Sequence, residues 1–189
     1  CVMTPAWVAE INLSGPDHTR LALQHSKWRN QLRRAQSSMI TIQNAPIEAA
    51  PDHPLFRAEL AQRKARNYRH WPIPLTVAYA QIAPNRTRLF TAHRRGRIIA
   101  QMLFLLHGSN STYHIGHITN EGRQVCAHNL LLWSASNWLA ERGILRLDLG
   151  LLDSVNAPGL VRFKLRSGAI PRELGGTWLV LPALTRRLA

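Results

Sequence analysis

Residues 118–168 read ITNEGRQVCAHNLLLWSASNWLAERGILRLDLGLLDSVNAPGLVRFKLRSG, and this stretch restricts the folds open to the chain more than any other. A turn leads into a helix over residues 127–142. Its polar positions Ser134, Asn137 and Glu141 form one narrow stripe, and Leu130, Leu131, Leu132, Ala135, Trp138 and Leu139 fill the rest. A helix so apolar is buried on most sides and predicts packing against a sheet. Gly143 stands where a helix stops. Residues 144–152 then alternate around Arg146 and Asp148, as in a central strand. A loop and a second helix follow, carrying Phe163 and Lys164 and closing at Gly168.

The flanking segments complete the pattern. Residues 88–93 and 97–106 flank Arg94-Arg95-Gly96 as a hairpin, and residues 113–119 add a third strand after a turn at 108–111. Two consecutive strands joined by the 127–142 helix require a crossover. Upstream, residues 7–13 read as an edge strand. Residues 18–36 read as a helix with Leu21, Trp28, Leu32 and Ala35 on one face, and residues 38–43 as a strand. Residues 54–69 read as a basic helix with Phe56, Leu60, Ala61, Ala65 and Tyr68 inward, and residues 75–82 as a short amphipathic piece. Downstream, residues 168–181 predict two short strands around Gly175-Gly176, before a frayed tail over 185–189. The fold class is therefore α+β: a mixed, mostly antiparallel central sheet with helices on both faces. One domain over 1–189 is expected, with a helix-rich opening segment (1–86) and a core of sheet and motifs (87–182).

The run NLLLW, AERG, LDLG, GLVRFKLRSG is similar to the C-terminal acyltransferase domain of the Fem-like and cellulose-biosynthesis-associated branch of the GNAT superfamily. The pieces that carry the resemblance are Leu131 to Trp133, Gly143, Asp148 to Gly150, and Phe163, Lys164 and Gly168. KWRNQLRRA at residues 27–35 resembles that branch's Arg-rich helix. The resemblance implies the GNAT fold, with a splay between the strand at 113–119 and the strand at 144–152. It also implies an N-acyltransferase: an amine acceptor attacks an acyl donor directly, without a covalent enzyme intermediate. Acetyl-CoA or another acyl-CoA is the expected co-substrate, and no tightly bound cofactor is expected. Two alternatives stand beside it: a Fem-like transferase using aminoacyl-tRNA, and a non-catalytic module of the same fold gripping an anionic polymer.

Charge enters at this point. The net charge is +14, from 24 Lys and Arg against 10 Asp and Glu, and only Lys27, Lys64 and Lys164 are lysines. Such a surface favours anionic partners, tRNA or another polyanion among them, although GC-rich coding yields the same arginine excess. The two cysteines, Cys1 and Cys126, make neither a disulfide framework nor a Cys-x-x-Cys metal site. No apolar run reaches membrane-spanning length and no signal peptide is evident, so a reducing, cytoplasmic location is expected. A chain that opens at Cys1 fits a processed lipoprotein or, better, a fragment of something longer. Oligomeric state is open.

Acyl transfer needs a held donor, a polarised carbonyl, a neutral amine and a proton for the leaving group. Helix starts suit phosphates, and Gly122, Arg123, Gln124, Val125, Cys126, Ala127 and His128 form such a start; these are the candidate donor-binding residues. Coenzyme-A-dependent GNAT proteins usually carry Arg/Gln-x-x-Gly-x-Gly/Ala there. Aligned on Arg123, this chain places Cys126 and His128 at the two small positions, a serious departure. Backbone groups of Gly116, His117 and Ile118 are the candidate oxyanion site, if the strand bulges at Gly116; otherwise that glycine packs under an aromatic ring. Asp148 is the candidate that orients or deprotonates the amine, or else a structural carboxylate bonded to loop amides. Lys164 faces the groove by resemblance to the Phe-Lys-x-x-x-Gly motif. Glu121 is the other candidate base. No metal is expected: His114 and His117, three apart on a strand, should face opposite ways.

Overall fold

The computed structural model describes residues 6–66, 68 and 71–178. Seven strands form one sheet in the order β2-β3-β4-β5-β6-β1-β7. The strands are β1 (Trp7–Asn12), β2 (Thr41–Ala45), β3 (Thr87–Arg94), β4 (Arg97–His107), β5 (Asn110–Ile118), β6 (Arg146–Leu151) and β7 (Ile170–Glu173). The helices are α1 (Asp17–Ala22), α2 (Ser26–Gln36), α3 (Pro54–Arg66), α4 (Ile73–Ile82), α5 (Asn120–Gln124), α6 (Ala127–Ala140) and α7 (Pro158–Arg166). Every strand pair is antiparallel except β5 with β6. This is the GNAT-like mixed sheet, covered on both faces.

Period-2 alternation along β3 and β4 assigns the two cores. Phe90, Ala92, Met102 and Phe104 face α2 and α6, and join Trp28, Leu32, Leu131, Leu132 and Leu139. Leu103 and Ile115 face the other way and join Leu55 and Phe56 of α3 and Ile73, Val77 and Ala80 of α4. Phe90 stands edge-on to Phe104 at 5.6 Å and to Trp138 at 5.9 Å, the arrangement the ring quadrupoles favour.

Several expectations are corrected. β1 is not an edge strand: it lies inside the sheet, antiparallel to both β6 and β7. The opening segment is therefore part of the core sheet, since it also supplies β2. The helix expected over 18–36 breaks at Leu23–His25, where the His25 ring accepts from the Lys27 N–H and restarts the helix as α2. In α3 the inward residues are Leu55, Phe56 and Glu59, while Leu60, Ala61 and Ala65 are exposed. Of the two strands expected after Gly168, β7 is present; residues 179–181 and the tail lie outside the described residues.

Candidate active site

The site begins where β5 and β6 part. They pair in parallel over three positions, Asn110 with Arg146, Ser111 with Leu147 and Thr112 with Asp148. Beyond Thr112, β5 stays with β4 alone. Beyond Asp148, β6 stays with β1. The result is a V whose apex is the Thr112–Asp148 pair, the splay expected between these two strands.

On the β6 arm, Leu149 and Gly150 together oppose Ala9, because Val8 aligns with Leu151 and Glu10 with Asp148. This bulge depends on glycine: Gly150 has φ +78°. The Gly150 N–H donates to Asp148 Oδ1 at 2.6 Å. The structural role weighed for Asp148 is thus present, and it aims the carboxylate. Lys164 arrives from α7 and is only 4% exposed. Its Nζ donates to the Leu151 carbonyl at 2.8 Å and lies 3.8 Å from where a Gly150 Cβ would stand. Burial drives its pKa down to about 8, with the nearby Asp148 charge opposing that shift. Asp148 and the Lys164 ammonium therefore both stand at one end of β6, near enough for their charges to be felt.

On the β5 arm, the bulge falls two residues before the expected place. Phe104 aligns with Tyr113 and Leu103 with Ile115, so His114 is the extra residue. Tyr113 and Gly116 consequently share a face. A Cβ on Gly116 would stand 1.8 Å from the Tyr113 hydroxyl. The glycine thus packs beside an aromatic ring, as in the second of its two readings. The carbonyls of Gly116 and His117 accept from Gln62 Nε2 at 3.1 Å and from His128 Nε2 at 3.0 Å. The bulge also overturns the alternation argument for the histidines. His114 bonds Thr76 of α4, on the side that Ile115 and, two residues on, His117 also face. Among the described residues, no group of three His, Cys, Asp or Glu is placed to hold a metal ion.

The expected donor loop folds as α5, a tight turn and the start of α6. The Gly122 N–H donates to the Thr119 hydroxyl at 3.1 Å, a helix cap. The N–H groups of Arg123, Val125 and Cys126 go to the carbonyls of Thr119, Glu121 and Arg123. Gly122 is needed for packing, since its Cβ would stand 2.3 Å from the Ile99 carbonyl oxygen. Arg123 and Gln124 are exposed. Of this loop, only the amides that open α6, at Ala127 and His128, keep the orientation that a helix start offers to an anion. Cys126 caps α6 in the left-handed region, φ +56° and ψ +38°. A left-handed conformation there would suit a small residue, yet the position carries a cysteine. His128 is half-buried against Phe163, ring centroids 6.3 Å apart. Burial lowers its pKa to about 4, so it stands as a neutral ring donating to His117.

Glu121 is not poised as a base. Its two carboxylate oxygens take Arg94 Nη1 at 3.0 Å and Arg97 Nη2 at 3.2 Å. It anchors the β3–β4 hairpin to α5.

Three residues near the V were not singled out in the sequence. Glu10 is the cross-strand neighbour of Asp148 and pairs with Arg172 at 2.7 Å. Tyr113 stands one residue past the apex; burial, with Glu59 contributing, pushes its pKa up and keeps the phenol protonated. Glu59 is a buried carboxylate that accepts from Tyr68 at 2.7 Å. A carboxylate among the apolar positions of a basic helix is the sequence signal that marks Glu59.

The fold and the V define a class, the GNAT acyltransferases. The family model described as "Acetyltransferase (GNAT) domain" matches residues 24–164, and the chain belongs to that family. No curated protein matches the chain. Among solved structures, FemX superposes with a TM-score of 0.71 at 14% identity, over 89% of this chain and 60% of that one. A conserved protein of unknown function from Bacteroides thetaiotaomicron gives 0.58 at 15% identity, over 88% and 57%. The C-terminal domain of a protein assigned as a lysylphosphatidylglycerol synthetase from Agrobacterium fabrum gives 0.56 at 14% identity, over 89% and 58%. The chain thus spans about 60% of the FemX chain. These likenesses are of fold. Among the described residues, no helix is long and apolar enough to cross a membrane.

Proposed function

We propose that this chain is an N-acyltransferase whose reaction takes place in the V between β5 and β6. The observation that carries the reading is the placing of Asp148 and a buried Lys164 at the end of β6, on the arm of a parallel pair that parts after three positions. The acceptor amine attacks the donor's carbonyl carbon, and the carbonyl π electrons move onto oxygen. Asp148, held by the Gly150 amide, takes the proton the amine sheds. The Lys164 ammonium stabilises the oxyanion. Collapse breaks the bond to the leaving group, which takes a proton from solvent. Glu121 stays with its two arginines and has no part.

The donor we propose is an acyl-CoA, with its pyrophosphate at the Ala127 and His128 amides and Arg123 beside it. A second reading, an aminoacyl-tRNA donor, is favoured by the loop's spent amides: a donor held through a nucleic-acid backbone needs less of that cradle, and the +14 charge suits it. The test is product mass after incubation with acetyl-CoA or aminoacyl-tRNA and a panel of primary amines. Transfer from either donor, cut by 10²-fold or more in Asp148→Asn, supports the proposal. No transfer, together with polyanion binding that salt abolishes and Asp148→Asn leaves intact, would make the chain a binding module instead.

A further inference from the structure

Away from the V, at the corner where α1, α2, α6 and the end of α7 meet β1, three polar atoms lack a protein partner. They are Arg20 Nε, Gln24 Oε1 and Trp28 Nε1. Their residues are 8%, 5% and 1% exposed, so bulk solvent does not satisfy them. A buried polar group left unpaired costs on the order of 1–3 kcal/mol, and native folds rarely keep three together. All three residues line one cavity of about 10 Å³. That is about the smallest space that holds one water molecule.

The chemistry selects the occupant. The guanidinium and indole N–H groups donate, and the amide oxygen accepts. A halide or phosphate oxygen would take both donors but face the Gln24 oxygen, and the space suits nothing larger than water. We infer that one buried water is an integral part of this fold, accepting from Arg20 Nε and Trp28 Nε1 and donating to Gln24 Oε1. The other guanidinium nitrogens of Arg20 are already committed to the Leu13 and Gly15 carbonyls and to Asn137. The water therefore completes a fully buried cation whose other partners are neutral. It also ties α1 to α2 across the break at Leu23–His25, beside the end of α7. The His25 N–H already donates there to the Arg166 carbonyl at 3.0 Å, and a Cβ on Gly168, at φ +91°, would stand 3.5 Å from Leu23.

The test is a high-resolution crystal structure of the whole chain, with a parallel bromide soak, and oxygen-17 relaxation dispersion in solution. One density peak within hydrogen-bond distance of all three atoms, no anomalous bromide signal, and a long-lived internal water whose signal falls in Gln24→Leu are expected. Three results would overturn the inference: an empty cavity, a bromide peak, or a Gln24 side chain turned onto Arg20 or Trp28 with the cavity closed. If Gln24→Leu does not fold, the wild-type crystal and relaxation data decide alone.

Discussion

Replacing Lys164 by methionine should stabilise the protein at neutral pH while abolishing acyl transfer. The Lys164 ammonium is buried, and its pKa falls from 10.5 to about 8. At 1.36 kcal/mol per pH unit, carrying that charge in the fold costs about 3 kcal/mol wherever the lysine is protonated in both states. The hydrogen bond to the Leu151 carbonyl returns about 1 kcal/mol, and Leu151 is exposed enough for water to replace it. The net gain from methionine is about 2 kcal/mol, a rise in Tm of roughly 4–8 °C for a chain of this size. The pH dependence has a definite sign. Between about pH 8 and 10.5 the folded protein has shed the proton and the unfolded chain still holds it. Wild-type stability therefore rises through that window, and the advantage of the variant shrinks there. Thermal melts of both proteins from pH 6 to 10 measure this. A Lys164→Met protein less stable at pH 7, or a gap that does not change with pH, would refute the argument.

Cys126→Gly should raise stability by about 1 kcal/mol, because the left-handed conformation at φ +56° strains any residue with a Cβ; chemical denaturation reads it. Gly116→Ala should cost about 1–3 kcal/mol by driving a methyl into the Tyr113 hydroxyl, and part of that loss should return in the double variant with Tyr113→Phe, a coupling that a double-mutant cycle measures. Glu121→Gln breaks a partly buried pair of ion pairs and should cost about 1 kcal/mol in low salt and less in high salt. It should leave acyl transfer intact; loss of transfer without loss of fold would return Glu121 to the reaction.

The parts legible in the sequence are those whose signal is local. The three-stranded meander, α6 and β6 each carry an unbroken period, and the splay follows from a crossover helix between consecutive strands. Asp148 and Lys164 came with motifs anchored on Gly150 and Phe163. What escaped depends on partners far along the chain. The place of β1 is set by residues 146–151 and 170–173, so its weak alternation alone resembled an edge. The one-residue slip at His114 turns Tyr113 toward Gly116, and nothing in YHIGHIT announces it. The donor loop had the right residues for free amides, but the Thr119 cap and the αL turn at Cys126 spend four of them internally. Glu59 escaped because a helical wheel assigns burial by hydrophobicity, and a buried carboxylate defies it.

The place of β1 also bears on how the chain folds. Of the seven described strands β1 is made first, yet its described partners are β6 and β7, the last two of the seven. During synthesis none of the described strands is there for it to join until β6 has emerged. The meander of β3, β4 and β5 closes over short turns and can form at once, but among the described residues β7 has no neighbour in the sheet other than β1. The last steps among these strands are therefore the addition of β1 to the outer edge of β6 and of β7 to β1, closures of high sequence separation and correspondingly slow. Until β1 is added, the outer edge of β6 is unpaired, and Asp148 has no cross-strand neighbour on that side. The nascent protein is then at its most vulnerable to pairing with another chain.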